Sequence, residues 1–141
     1  MNDIERVRNT GQNRSINRHR WEYNKLDTVL NNENSLHYII LDKMKTLINI
    51  RQQQPAFHPN ATQFTLQLGE HCFGYWRQSM DRAQSVFCIT NISKQEQSIR
   101  ISDVNLISTQ TWSDLLSNMV LAQDQQTLTL APYQTLWLTN R

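Results

Sequence analysis

The chain has 141 residues, with 14 Lys or Arg against 12 Asp or Glu, for a formal charge of +2. That length carries one hydrophobic core but falls short of the about 250 residues of an eight-unit strand–helix barrel, and so small a net charge singles out neither nucleic acid nor an anionic membrane as a partner. No apolar run approaches the about 20 residues that span a bilayer, and no apolar leader core opens the chain, so a soluble, cytoplasmic protein is expected.

Residues 10–19 come first in chain order, and they gather Gly11, Arg14, Arg18, the amides of Gln12, Asn13 and Asn17, and His19. Glycine admits unusual backbone angles, amides and imidazole both donate and accept, and a guanidinium fork bridges neighbouring oxygens at fixed geometry. The inventory suits a polyol, and equally a solvated, arginine-rich tail. Asp3 and Glu5 form the close acidic pair of this region; they read as helix-start or loop charges, because nothing adjacent would exclude water from them. Arg6, Arg8, Arg14, Arg18 and Arg20 stand near Trp21, but Asp3, Glu5 and Glu22 flank them, so no nucleic-acid partner is expected.

Leu26, Val29 and Leu30 then recur at helical spacing, and residues 31–35 supply a polar break. A stronger helix opens at Leu36 and runs to Ile50, with Leu36, Ile39, Ile40, Met44, Leu47 and Ile48 on one face. Pro55 restricts Gln54 and ends that helix near residues 51–53. Beyond Thr62 the apolar period falls to two. Phe64, Leu66 and Leu68 alternate with polar neighbours, and strand-like runs follow at 72–78, 85–91, 97–102, 127–130 and 135–139. The expected class is α+β: one or two amino-terminal helices, then an antiparallel β-sandwich, divided as residues 1–58 and 59–141.

A symmetric four-residue turn at 80–83 would set Tyr75 opposite Cys88 and Cys72 opposite Asn91, placing the two thiols on opposite sheet faces. Free, partly buried thiols are therefore expected. His19, His37, His58 and His71 lack the spacing of a zinc pair, so neither metal nor cofactor is expected. No glycine-rich phosphate loop and no G-x-S-x-G elbow occurs. Trp21, Trp76, Trp112 and Trp137, with Tyr75 and Tyr133, read as sandwich-core aromatics ahead of a sugar-stacking platform.

The runs Asn2-Asp3-Ile4-Glu5-Arg6-Val7, Thr10-Gly11 and Arg14-Ser15-Ile16-Asn17-Arg18-His19 resemble the segment near the end of the catalytic barrel in sucrose-phosphorylase-like enzymes of the α-amylase superfamily, glycoside hydrolase family 13. The resemblance continues through Pro55-Ala56-Phe57-His58-Pro59-Asn60-Ala61, Phe73-Gly74-Tyr75-Trp76-Arg77-Gln78-Ser79, Trp112-Ser113-Asp114-Leu115-Leu116-Ser117 and Leu130-Ala131-Pro132-Tyr133-Gln134 before Trp137. It implies a carboxy-terminal portion, with the closing helices of a barrel followed by its accessory sandwich. It also implies that Arg14 contacts glucose hydroxyls beside the cleaved bond, with Asn17 and His19 as further substrate-contacting candidates.

Ser15 stands where many such enzymes carry aspartate, a stronger partner for sugar or arginine, so the resemblance leaves the sugar open. The resemblance places the nucleophile, the acid/base glutamate and the stabilising aspartate upstream of these residues. Retaining cleavage needs two carboxyl groups about 5–5.5 Å apart, and no catalytic residue is assigned here. The implied parent activity is α-glucosyl transfer of the sucrose phosphorylase or glucosylglycerate phosphorylase type, with an α-glucoside and phosphate as substrates and the barrel as partner. An independent carbohydrate-binding or protein-interaction sandwich is the alternative. Away from a barrel, the 36–50 helix would expose side chains whose burial contributes about 1.5–3 kcal/mol each, so its face is expected to fold onto the sandwich or pair with a second copy.

Overall fold

In the computed structural model the described residues are 3–17, 20–104, 106 and 111–141. The chain forms two units, Met1–Lys45 and Thr46–Arg141.

The first unit is helical. Asp3 caps α1 (Ile4–Thr10) by accepting the Arg6 N–H at 2.9 Å, and Gly11, at φ +64°, returns its N–H to the Val7 carbonyl at 2.8 Å. An acidic N-cap and a left-handed glycine are the local signals that start and stop a short helix. This helix was not anticipated from the composition of the segment. A 3-10 turn (Asn13–Asn17) follows, tied to α1 by the Asp3 N–H donating to the Ile16 carbonyl at 2.8 Å. Next comes α2 (Tyr23–Leu30). Ser35 then serves two helices, its hydroxyl donating to the Val29 carbonyl and accepting the Tyr38 N–H.

The anticipated long helix is α3 (Leu36–Gln52), whose second half belongs to the second unit. None of α1, α2 or α3 contains a buried residue. Leu36, Ile39, Ile40, Met44, Leu47 and Ile48 are 40–68% exposed.

The second unit is the antiparallel sandwich. Its larger sheet runs β1 (Thr62–Leu66), β2 (Cys72–Gln78), β3 (Ser85–Asn91), β7 (Thr135–Thr139), β5 (Ser113–Asp114), and the smaller sheet pairs β4 (Gln97–Arg100) with β6 (Thr127–Leu130). The 80–83 turn sets the anticipated register: Ser79 and Gln84 close it, Tyr75 lies opposite Cys88, and Cys72 opposite Asn91. Strand alternation then sorts the core into two layers. Cys72, Phe87, Ile89, Leu136 and Leu138 face Ile99, Leu128 and Leu130 between the sheets, while Val86 and Cys88 face outward under Ala56 and Phe57. The thiols are free, buried and on opposite faces, as the turn length requires.

Gly74 sits where a side chain would collide, since a Cβ there would lie 2.5 Å from Leu68 Cδ1. Two elements depart from the sequence reading. The strand expected over 97–102 ends at Arg100, and α4 (Ile101–Val104) takes over, because helical spacing turns Ile101 and the fully buried Val104 onto the core together. The two-residue β5 was not anticipated.

Candidate functional site

The arginine-rich turn is assembled by backbone signals. Gly11 reverses the chain after α1, Thr10 Oγ1 donates to the Arg6 carbonyl at 2.6 Å, and the Asp3–Ile16 hydrogen bond brings the 3-10 turn back beside the helix start. Arg14 lies on that turn, exposed, and its guanidinium makes no hydrogen bond or ion pair with the described residues. Asn17 closes the turn, and its side chain lies outside the described residues, as does His19. The acidic pair is separated by role. Asp3 caps α1, and Glu5 points to solvent from its first turn.

A second constellation sits where α3 meets the sandwich, and sequence reasoning missed it. Gln84 is 1% exposed, and each end of its amide is engaged. Its Nε2 donates to Gln54 Oε1 at 2.6 Å and to Thr139 Oγ1 at 3.2 Å, while its Oε1 accepts the Ala56 N–H at 3.1 Å. Arg77 reaches the same connector from β2. Nε donates to the Ala56 carbonyl at 3.1 Å, Nη2 to the His58 carbonyl at 2.6 Å, and Nη1 to Gln63 Oε1 at 3.1 Å. Phe57 meets Trp137 edge-on with centroids 5.0 Å apart, sealing the connector apolarly. Buried polar groups left unpaired are costly, so this set of partners holds the connector in one shape. The partners are 28 and 30 residues apart in sequence, which no local pattern reveals.

The other motif residues also prove to be stitches. Asp114, 1% exposed, accepts the Trp137 N–H at 2.7 Å on Oδ1, and the Ser117 N–H and hydroxyl on Oδ2 at 3.0 and 2.7 Å. Its carboxylate extends the sheet edge where β5 is too short to do so. Gln134 Oε1 accepts the Ala131 N–H at 2.8 Å and shapes the turn before β7, in which Tyr133 adopts φ +59°. Burial pushes the Cys88 thiol up to about 11, and burial followed by its hydrogen bond with Cys88 pushes Tyr75 up to about 12. Neither is an ionised nucleophile at neutral pH.

The aromatics divide between core and surface. Trp112 is buried, and Trp76 stacks between Phe64 and Phe87 with centroids at 5.1 and 5.6 Å, whereas Trp21 and Tyr133 are exposed. A pocket of ≈ 360 Å³ lies beside the connector, lined by Arg51, Gln54, Pro55, Phe57 and His58 among others, and a groove of ≈ 430 Å³ follows one side of α2 between Trp21 and Val29. Among the described residues no three His, Cys, Asp or Glu side chains converge, and no helix is long and apolar enough to cross a membrane.

No protein-family model matches the chain. It is 29% identical to a glucosylglycerate phosphorylase of Spirochaeta thermophila, an alignment covering 96% of this chain and 24% of that protein. With a glucosylglycerate phosphorylase of Escherichia coli the identity is 26%, covering 97% and 23%. The chain thus spans about a quarter of the length of the curated relatives it matches. Among solved structures, AmyP bound to maltose superposes with a TM-score of 0.60 at 16% identity, over 73% of this chain and 20% of that one. Trehalose-6-phosphate hydrolase of Bacillus licheniformis does so with 0.57 at 19%, over 82% and 20%. These likenesses are of fold. The sequence likeness thus runs over nearly the whole of this chain and about a quarter of two glucosylglycerate phosphorylases, and the solved structures share its fold of helices followed by a β-sandwich, in line with the resemblance read from the residues.

Proposed function

We propose that this chain supplies the sugar-gripping arginine and the closing brace of an α-glucosyl-transferring enzyme of the glucosylglycerate phosphorylase or sucrose phosphorylase type, and cleaves no bond by itself. The observation that carries the reading is the similarity to two glucosylglycerate phosphorylases over nearly the whole chain. In this reading Arg14 hydrogen-bonds the hydroxyls of the glucosyl unit, and Asn17 and His19 contact substrate beside it. Residues 1–58 close the catalytic barrel of the parent in the cytoplasm, and residues 59–141 form its accessory domain. The α-glucoside and phosphate bind in the parent, and the connector held by Gln84 and Arg77 braces the last helix against the sandwich. No resident cofactor is involved.

The test exchanges the matching segment of the Spirochaeta thermophila enzyme for this chain. The chimera is expected to release glucose 1-phosphate from glucosylglycerate and phosphate, and Arg14→Ala to lower kcat/KM about ten- to a hundredfold, the worth of a hydrogen bond from a charged donor. The chain alone is expected to release none. Release by the chain alone, or an Arg14→Ala chimera as active as its parent, would refute the reading. The alternative of an independent module draws on the self-contained core of residues 46–141. Calorimetric binding of glucose or malto-oligosaccharides by the chain alone, tighter than millimolar, would favour it.

A further inference from the structure

We propose that Gln54 and Gln84 form a positioning pair through which the sandwich fixes the end of α3, and that glucosyl transfer in the parent enzyme depends on it. Each residue acts through the helix and not on substrate. The inference rests on reading α3 as the last helix of the parent's barrel. Every residue it uses, from Ile50 to Thr139, lies in the second unit.

An α-helix leaves its last carbonyls without partners from its own turns, and a left-handed glycine is the common remedy. α3 has none, since Gln53, Gln54 and Pro55 follow Gln52. Pro55 stops the helix by holding Gln54 extended, at φ −101° and ψ 113°. The Gln53 N–H then donates to the Ile50 carbonyl and the Gln54 N–H to the Arg51 carbonyl, both at 3.2 Å. Gln54 adds its side chain, whose Nε2 donates to the Ile50 carbonyl at 3.1 Å. The helix is thus closed by a residue beyond its end, and that residue needs an anchor.

Gln84 is the anchor. Its backbone closes the 80–83 turn, donating to Ser79 Oγ and accepting the Ser79 N–H, each at 2.9 Å. Its side chain, 1% exposed, ties Gln54 Oε1 to Thr139 Oγ1 of β7. Backbone groups dictate the direction of both amides. The Ile50 carbonyl only accepts, so Gln54 turns its oxygen to Gln84; the Ala56 N–H only donates, so Gln84 turns its nitrogen to Gln54. One relay therefore runs from β7 through Gln84 and Gln54 to the last turn of α3, and it works in a single orientation. An apolar pair would fill the same space and hold neither backbone group.

The isosteric variants Gln54→Met and Gln84→Met test this, with Ile99→Val, a buried change in the other sheet, as control. In the full chain each Met variant is expected to speed exchange of the Gln53 and Gln54 amides about tenfold, and Ile99→Val to leave it unchanged. In the chimera with the Spirochaeta thermophila enzyme each is expected to lower kcat about tenfold, the double variant to be no slower than the worse single, and Ile99→Val to turn over normally. Additive losses in the double variant, or an Ile99→Val chimera slowed as much as the pair variants, would reduce the pair to general stability and overturn the proposal. So would Met variants with unaltered exchange and turnover. A wild-type chimera without activity refutes the parent reading and takes the catalytic half of this inference with it, while the exchange result still decides whether Gln84 fixes the end of α3.

Discussion

The two units obey different physics. Every buried hydrophobic side chain among the described residues lies between Ala56 and Leu138, in the sandwich unit, while α1, α2 and α3 bury none. Caps, a left-handed glycine and a shared serine define the helices locally, yet a helix in water gains most of its stability from covering an apolar face. The sandwich has that cover and the helical unit does not. Local signals thus specify where helices begin and end without making them stable.

The contrast breaks most sharply under truncation. Leu138→Ala, at a fully buried site, is expected to lower unfolding free energy by about 2–5 kcal/mol in urea titration. Leu47→Ala on the 40% exposed α3 stripe is expected to change it by no more than about 0.5 kcal/mol. Comparable losses at the two positions would erase the distinction. Gln84→Leu probes the boundary, since it strips partners from the Ala56 N–H and Gln54 Oε1. A loss of about 1–3 kcal/mol is expected, with faster exchange at Ala56.

A smaller effect belongs to alkaline pH and to the sandwich alone. Folding raises the Cys88 thiol from 9.0 to about 11 and the Tyr75 phenol from 10.0 to about 12. The native state therefore keeps protons that the unfolded chain releases, so stability is full below about pH 9 and declines as pH climbs toward 11 and 12. Cys88→Ala should flatten the first part of that decline in unfolding curves collected at stepped pH. A local effect belongs to Asp3→Ala, which removes the α1 cap and should cost about 1 kcal/mol of helix stability, visible in the amide shifts of α1 and absent from those of β3.

What could be read from the sequence follows the same divide between local and distant causes. The β2–β3 register was legible because the 80–83 turn fixes it by counting, and α3 because six aliphatic residues repeat at helical spacing before Pro55. α1 was not legible although Asp3 and Gly11 bracket it, because a helix of seven mostly polar residues that buries none of them carries no apolar periodicity. Ile99 and Ile101 alternate like a strand, but Val104 is the residue that must be buried, and a helical turn is what buries it with Ile101. For the candidate site, Gly11 was correctly marked as the residue of unusual backbone angle, and Arg14 proves exposed on its turn. The roles of Gln84, Arg77 and Asp114 were illegible, because a polar side chain shows its burial only through partners that the fold brings from far along the chain.

Hydrogen exchange on the intact chain, followed residue by residue, tests most directly the claim that the sandwich is self-sufficient and the helical unit is not. Amides of β2, β3 and β7 are expected to exchange only through global unfolding, and those of α1, α2 and the first half of α3 orders of magnitude faster. Equal protection of both sets in a monomeric sample would contradict it.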